Sequence, residues 1–140
     1  MDGKRDEIMR EKALETKIKE TILKRSGYVI KNQASSTTGR GKPDLSACVD
    51  GKYWGIEVKA PQGSVKTTHV QVLNLQRIAA AGGIAVYAKT ANLFSLEDYT
   101  VSKEKFDEKR INSLLNQDDV KIIKFGRNVI YVYREAKNEH

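Results

Sequence analysis

Leu14, Ile18 and Ile22 recur at i, i+4 and i+8 among charged residues, the spacing that lines one face of a helix, and predict a helix from about Arg5 to Arg25. Gly27 ends it, and the short apolar run Tyr28-Val29-Ile30 opens a strand. Ser35-Ser36-Thr37-Thr38-Gly39-Arg40-Gly41-Lys42 has no periodicity and reads as a flexible loop. Two further strands, Asp44 to Val49 and Tyr53 to Ala60, flank Asp50-Gly51, a dipeptide whose tolerance of positive φ suits a tight hairpin turn. Pro61-Gln62-Gly63 breaks the second of them. A second helix from about Thr68 to Ala81 carries Val72, Leu75 and Ile78-Ala79 on its apolar side. Gly82-Gly83 closes that helix, and Ile84-Ala85-Val86-Tyr87-Ala88 has the continuous apolar character of a buried strand.

The last third reads as an addition to this core. A helix is predicted from Ser102 to Leu115, then strands Val120–Phe125 and Val129–Tyr133 joined by a turn at Gly126-Arg127-Asn128. There is no internal repeat. The order α-β-β-β-α-β, then α-β-β, predicts an α/β fold with a mixed sheet flanked by helices. The 140 residues suffice for one domain, with a core over about 5–90 and a C-terminal extension over about 91–140.

Hydrophobic content of 39% and charged content of 31% suit an ordinary globular protein and exclude wholesale disorder. The balance is basic: 25 Lys+Arg against 18 Asp+Glu give a net charge of +7. A polyanion is a natural partner for such a chain, because phosphate neutralisation releases counterions, although many basic proteins bind none. Cys48 is the sole cysteine, so neither an intramolecular disulfide nor a cysteine-built zinc cluster is available. His69 and His140 have no metal-ligand spacing. The N-terminus lacks the apolar run of a signal peptide, and no segment approaches the about 18 apolar residues of a membrane span. A reducing, cytoplasmic setting is the simplest expectation.

The chemistry concentrates where strands carry residues that strands disfavour. Alternation puts Trp54, Ile56 and Val58 on one face and Gly55, Glu57 and Lys59 on the other. Counting back across the hairpin brings Asp44 beside Glu57, and Gly55 is expected to leave room there for a substrate or ion. Two neighbouring carboxylates repel unless a cation joins them, and hard oxygen ligands favour Mg²⁺ or Mn²⁺. Such an ion acidifies bound water and stabilises charge on a phosphodiester, while Lys59 orients or deprotonates the water or offsets phosphate charge. Taken alone, a Glu-x-Lys pair on a strand is more often a solvated face with a cross-strand ion pair. Pro-Asp, hairpin and Glu-x-Lys in that order are far more specific.

The run Gly41-Lys42-Pro43-Asp44-Leu45, then Gly55-Ile56-Glu57-Val58-Lys59-Ala60-Pro61, Gly63 and Gln71, resembles the VRR-NUC branch of the PD-(D/E)XK (restriction-endonuclease-like) nuclease superfamily. The resemblance extends from Glu15 to about Tyr87. It implies an active site of Glu15, Asp44, Glu57, Lys59 and Gln71, with Asp44, Glu57, the Val58 carbonyl and Glu15 holding Mg²⁺ or Mn²⁺. It implies further a metal-dependent endonuclease, often a homodimer, acting on branched or structured DNA, Holliday junctions included, in phage, bacterial and eukaryotic repair settings.

Each of these residues also has a plainer reading. Glu7, Glu11 and Glu20 share the helix with Glu15, which is preferred because Glu-x-x-Ile ahead of the glycine fits the family spacing. Its alternative is a surface pair with Lys19 at i+4. Gln71 stands in the family-like context Thr68-His69-Val70-Gln71, where its amide is expected to hold Lys59 or a phosphate oxygen. Arg40, Lys42 and Lys66 lie in loops that can guide DNA phosphates, or are simply solvated charges. Gly39-Arg40-Gly41-Lys42 is no nucleotide loop, because Pro43 blocks the helix such a loop must open. His69 reads as structural or as a weak phosphate contact. Phe94, Tyr99, Phe106, Tyr131 and Tyr133 read as core or dimer interface, since base-stacking residues sit in basic, exposed surroundings. Two other functions remain open: a non-catalytic nucleic-acid-binding or assembly module with the same fold, and a nuclease acting on RNA.

Overall fold

A computed structural model describes residues 3–33 and 41–136. Helix α1 (Gly3–Lys24) leads into β1 (Tyr28–Lys31), the hairpin β2 (Leu45–Val49) and β3 (Lys52–Val58), α2 (His69–Ala80) and β4 (Ile84–Ala88). A 3₁₀ turn (Leu96–Asp98), β5 (Tyr99–Lys105), α3 (Glu108–Leu115), β6 (Val120–Phe125) and β7 (Val129–Glu135) follow. The strands form one sheet in the order β1-β2-β3-β4-β6-β7-β5. β3 and β4 run parallel, with α2 as their crossover, and the other neighbours are antiparallel. The mixed sheet flanked by helices expected from the apolar pattern is the observed fold.

Both faces of the sheet are packed. Leu14, Ile18 and Ile22 of α1 lie in one apolar cluster with Leu45, Ala47, Ile56 and Val58. On the other face Val72 and Leu75 of α2 and Ile111 and Leu114 of α3 cluster with Ala85, Tyr87, Ile123 and Val132. The β2–β3 hairpin turns at Asp50 and Gly51, with φ of 52° and 77°, the paired positive values that a tight twisted hairpin requires. Among the described residues no helix is long and apolar enough to cross a membrane.

Three expectations change. The helix predicted from Ser102 begins only at Glu108, after Asp107 caps it by accepting the Lys109 N–H at 3.1 Å. Tyr99–Lys105 is instead an edge strand paired along its whole length with β7. Its Lys103-Glu104-Lys105 run resembles a helix surface, but charge on an exposed edge also blocks unwanted strand pairing. The C-terminal order is therefore β-α-β-β, and the segment continues the sheet through the pairing of β6 with β4. Asp44 precedes β2 rather than opening it, and β3 ends at Val58 rather than Ala60. The room expected beside Gly55 is filled: a Cβ there would meet Ile78 Cδ1 at 2.6 Å and Pro43 Cγ at 3.2 Å. Glycine at 55 lets α2 and Pro43 close onto the sheet, so the open space for a ligand lies elsewhere.

Candidate active site

Glu57 sits near the end of β3, 3% exposed, on the face turned toward α2. Its Oε1 accepts the Asp44 backbone N–H at 3.1 Å, and Asp44 Oδ2 accepts the Val58 N–H at 2.8 Å. Each carboxylate is thus gripped by backbone beside the other. Asn32 fixes the approach to β2: its backbone N–H donates to the Asp44 carbonyl at 2.8 Å and its Nδ2 to the Pro43 carbonyl at 2.8 Å. Burial, followed by the hydrogen bond to Asp44 and its charge, pushes the Glu57 carboxyl up to about 9, with Lys59 and the Asp44 N–H pulling the other way.

Lys59 follows β3 directly, and its backbone N–H bonds the Ala88 carbonyl at 2.9 Å. Its Nζ donates to the Lys66 carbonyl at 2.7 Å and to Gln71 Oε1 at 3.1 Å, and lies 5.8 Å from the centre of the Tyr87 ring. Gln71 is placed by the start of α2. Thr68 caps that helix in a capping box, accepting the Gln71 N–H at 3.2 Å, while Gln71 Oε1 accepts the Thr68 N–H at 3.3 Å. Thr67 Oγ1 also donates to Gln71 Oε1 at 3.2 Å and shares a hydrogen bond with the buried Tyr87 hydroxyl. Of the two roles expected for the Gln71 amide, the structure shows the contact with Lys59.

Glu15 is placed differently. It is buried on α1, with its carboxylate 3.0 Å from Lys31 Nζ and 3.7 Å from Lys19 Nζ. Among the described residues no three His, Cys, Asp or Glu side chains gather at metal-binding spacing. One turn earlier on α1, Glu11 feels the charge of Asp44 and Lys59. Burial raises its carboxyl first, the charge of Asp44 next, and Lys59 opposes them. Glu11 lines a cleft of about 570 Å³ with Glu7, Lys59, Ser64, Val65 and Lys66. Glu7 closes the wall by accepting the Ser64 N–H at 3.0 Å; a Cβ on Gly63 would strike that carboxylate. The repeat of Glu7, Glu11 and Glu15 at i+4 was the available sequence signal for this acidic flank.

The loop cations divide. Lys66 borders the Lys59 cleft, Lys42 lines a separate groove beside Pro43, and Arg40 lies outside the described residues. His69 is exposed, with Nδ1 2.8 Å from Glu108 Oε1, and ties α2 to α3. Phe94, Tyr99 and Tyr131 pack against the α1-side core, Tyr133 is part of it, and Phe106 packs on the other side.

Glu57 makes stability without metal depend on pH. Its folded value of about 9 lies above the ordinary 4.5, so the folded protein holds a proton that the unfolded chain has released. Stability should therefore fall as pH rises from about 5 to about 9, by at most about 1.4 kcal/mol per pH unit for one proton. Urea unfolding in EDTA measures this, and subtracting the profile of Glu57→Gln isolates the residue. A difference that stays flat with pH would contradict the burial of a protonated Glu57.

No family model matches the chain, and no curated protein matches it. Among solved structures, it is similar to a "VRR_NUC domain". The two are 24% identical, the match covers 56% of this chain and 81% of that one, and the TM-score is 0.47.

Proposed function

We propose that this protein is a divalent-metal-dependent nuclease that hydrolyses phosphodiester bonds of DNA, with structured or branched DNA as its substrate. The observation that carries the reading is the buried Glu57 set against the half-buried Asp44, with Lys59 fixed by Gln71 and the Lys66 carbonyl. The donor set fits Mg²⁺ or Mn²⁺: carboxylate oxygens are hard ligands, and a cation can replace the proton that Glu57 otherwise holds. Asp44 and Glu57, with the Val58 carbonyl, would hold it, and when bound it would acidify water and offset phosphate charge.

This chain's residues account for the remaining work. Lys59 Nζ orients the attacking water or a phosphate oxygen, and Gln71 steadies that ammonium. Glu11 on α1 is within electrostatic reach of Asp44 and Lys59, and Glu15 holds Lys31 and Lys19. Lys66 guides the DNA backbone along the cleft.

The expected result is cleavage of duplex, flap or four-way-junction DNA with Mg²⁺ or Mn²⁺, none in EDTA, and a calorimetric heat on adding Mn²⁺. RNA digested alongside decides between the two nucleic acids, and a solution mass tests the homodimer. Folded protein that gives no Mn²⁺ heat and no cleavage would favour the non-catalytic binding module instead.

A further inference from the structure

At the β1–β2 edge of the sheet one face leaves its side chains exposed. Tyr28 pairs with Cys48, and Cys48 with Tyr53, so these three side chains form a row across β1, β2 and β3. The adjoining row is Ile30, Ser46 and Gly55, and Gly55 faces α2, which fixes both rows on the active-site side of the sheet. Tyr28 is 68% exposed, Ile30 47% and Tyr53 45%, and Cys48 is exposed too. On the opposite face the same strands bury Leu45, Ala47, Val49 and Ile56 under α1. Exposed aromatic residues are therefore confined to the side that also bears Glu57.

Between this shelf and α2 runs a groove of about 440 Å³ lined by Asn32, Lys42, Ser46, Tyr53, Asn74 and Arg77, among others. Among the described residues no carboxylate lines it. Pro43, the residue before Asp44 in the chain, is in its wall. The polar parts are preset: Ser46 Oγ accepts from Asn32 Nδ2 at 2.8 Å and lies 3.0 Å from the Tyr53 hydroxyl. Gly41, at φ 77°, packs the segment before Pro43 onto α2, where a Cβ would meet Val70 Cγ1 at 2.4 Å.

We infer that this groove and shelf bind an unpaired single strand of the nucleic acid next to the cleavage position, with Tyr28 and Tyr53 stacking on its bases and Lys42 and Arg77 meeting its phosphates. The inference rests on the nuclease reading and names the part of the substrate selected. Aromatic faces flanked by cations, with no acid between them, are the equipment for holding a single strand without reading its sequence. The charge also separates this surface from the cleft beyond Lys59, where Glu7 and Glu11 set two carboxylates beside Lys59 and Lys66. A duplex with an unpaired arm satisfies both places at once, the scissile phosphate at Asp44 and Glu57 and the arm across β3, β2 and β1.

Cys48, the sole cysteine, stands in the middle of the aromatic row and reports occupancy of the shelf. In EDTA, saturating oligothymidylate of about 12 nucleotides, within the usual site size of single-strand binders, should slow Cys48 alkylation by about tenfold. Tyr28→Ala should weaken oligothymidylate binding by about tenfold, as expected for losing one stacked base, and Tyr28→Phe should restore it. Tyr28 is the residue of choice because Tyr53 also packs near Gly55 and Gly83. Oligonucleotide that binds by anisotropy yet leaves Cys48 equally reactive would overturn the inference, as would folded protein that binds none. Protection of Cys48 that grows with protein concentration alone would also overturn it and make the shelf a contact between copies. Metal-dependent duplex cleavage, scored on the same protein, tells loss of this inference apart from loss of the nuclease reading.

Discussion

Glu57→Gln is expected to eliminate divalent-metal-dependent DNA cleavage, by about 10³-fold or more, while leaving the protein folded. That loss corresponds to roughly 4 kcal/mol of barrier, the scale at which a site loses a principal electrostatic element. Glutamine reproduces the hydrogen-bond pattern of a protonated Glu57, since its carbonyl can still accept the Asp44 N–H and its amide can donate to the Asp44 carboxylate. What it cannot do is exchange a proton for a cation. Without metal and above neutral pH the variant should be more stable than the wild type, because it no longer takes up a proton on folding. Asp44→Ala should also abolish cleavage but at a cost in stability. It removes the acceptor of the Val58 N–H, and an unsatisfied buried donor costs about 1–3 kcal/mol. Cleavage rates and urea midpoints of both variants check the pair. Robust cleavage by either would sink the nuclease reading.

The centre of this site was legible because strand alternation leaves little choice. With Trp54, Ile56 and Val58 committed to the core, Glu57 and Lys59 had to share the other face, and a two-residue turn at Asp50-Gly51 had to return Asp44 toward Glu57. Gln71 came from the family resemblance alone, although the capping box it forms with Thr68 is a local pattern. Other features depend on contacts that no local pattern shows. Glu11 and Glu15 stand one turn apart on the same flank of α1, and helical periodicity cannot rank them. Lys31, far along the chain on β1, pairs with the Glu15 carboxylate, a contact that nothing local shows. Gly55 next to two acids looked like space for a ligand, because nothing local shows Ile78 arriving from α2. Tyr99–Lys105 carries the charge of a helix surface, and only its pairing with β7 makes it a strand. The basic aromatic shelf escaped notice because Tyr28 and Tyr53 become neighbours through Cys48, across two strand pairings.

Lys59→Met should cost about 10²- to 10⁴-fold in cleavage while preserving the Mn²⁺ heat, the size of effect expected for a positioned proton-transfer or charge-stabilising group. Lys59 Nζ is held by the Lys66 carbonyl, Gln71 Oε1 and the Tyr87 ring, which orders the ammonium before any substrate arrives. Methionine keeps much of the stem's volume and contact with Tyr87 but removes the charge. Lys59 also pulls the Glu57 carboxyl downward, so its loss should let Glu57 rise further. Mn²⁺ affinity should then weaken modestly and recover with increasing pH, as the proton competing for Glu57 leaves. Arginine should not restore cleavage, because a planar guanidinium cannot occupy the compact position between a carbonyl at 2.7 Å and an amide oxygen at 3.1 Å. Gln71→Ala touches the chemistry through the lysine, so its effect on rate should be smaller, about tenfold, with some stability lost as the capping box opens. The order of rates, wild type above Gln71→Ala above Lys59→Met, with Mn²⁺ binding retained in all three, separates the ammonium from the metal-holding carboxylates. Near-wild-type cleavage by Lys59→Met would remove the lysine from the chemistry and leave the carboxylate pair to act alone.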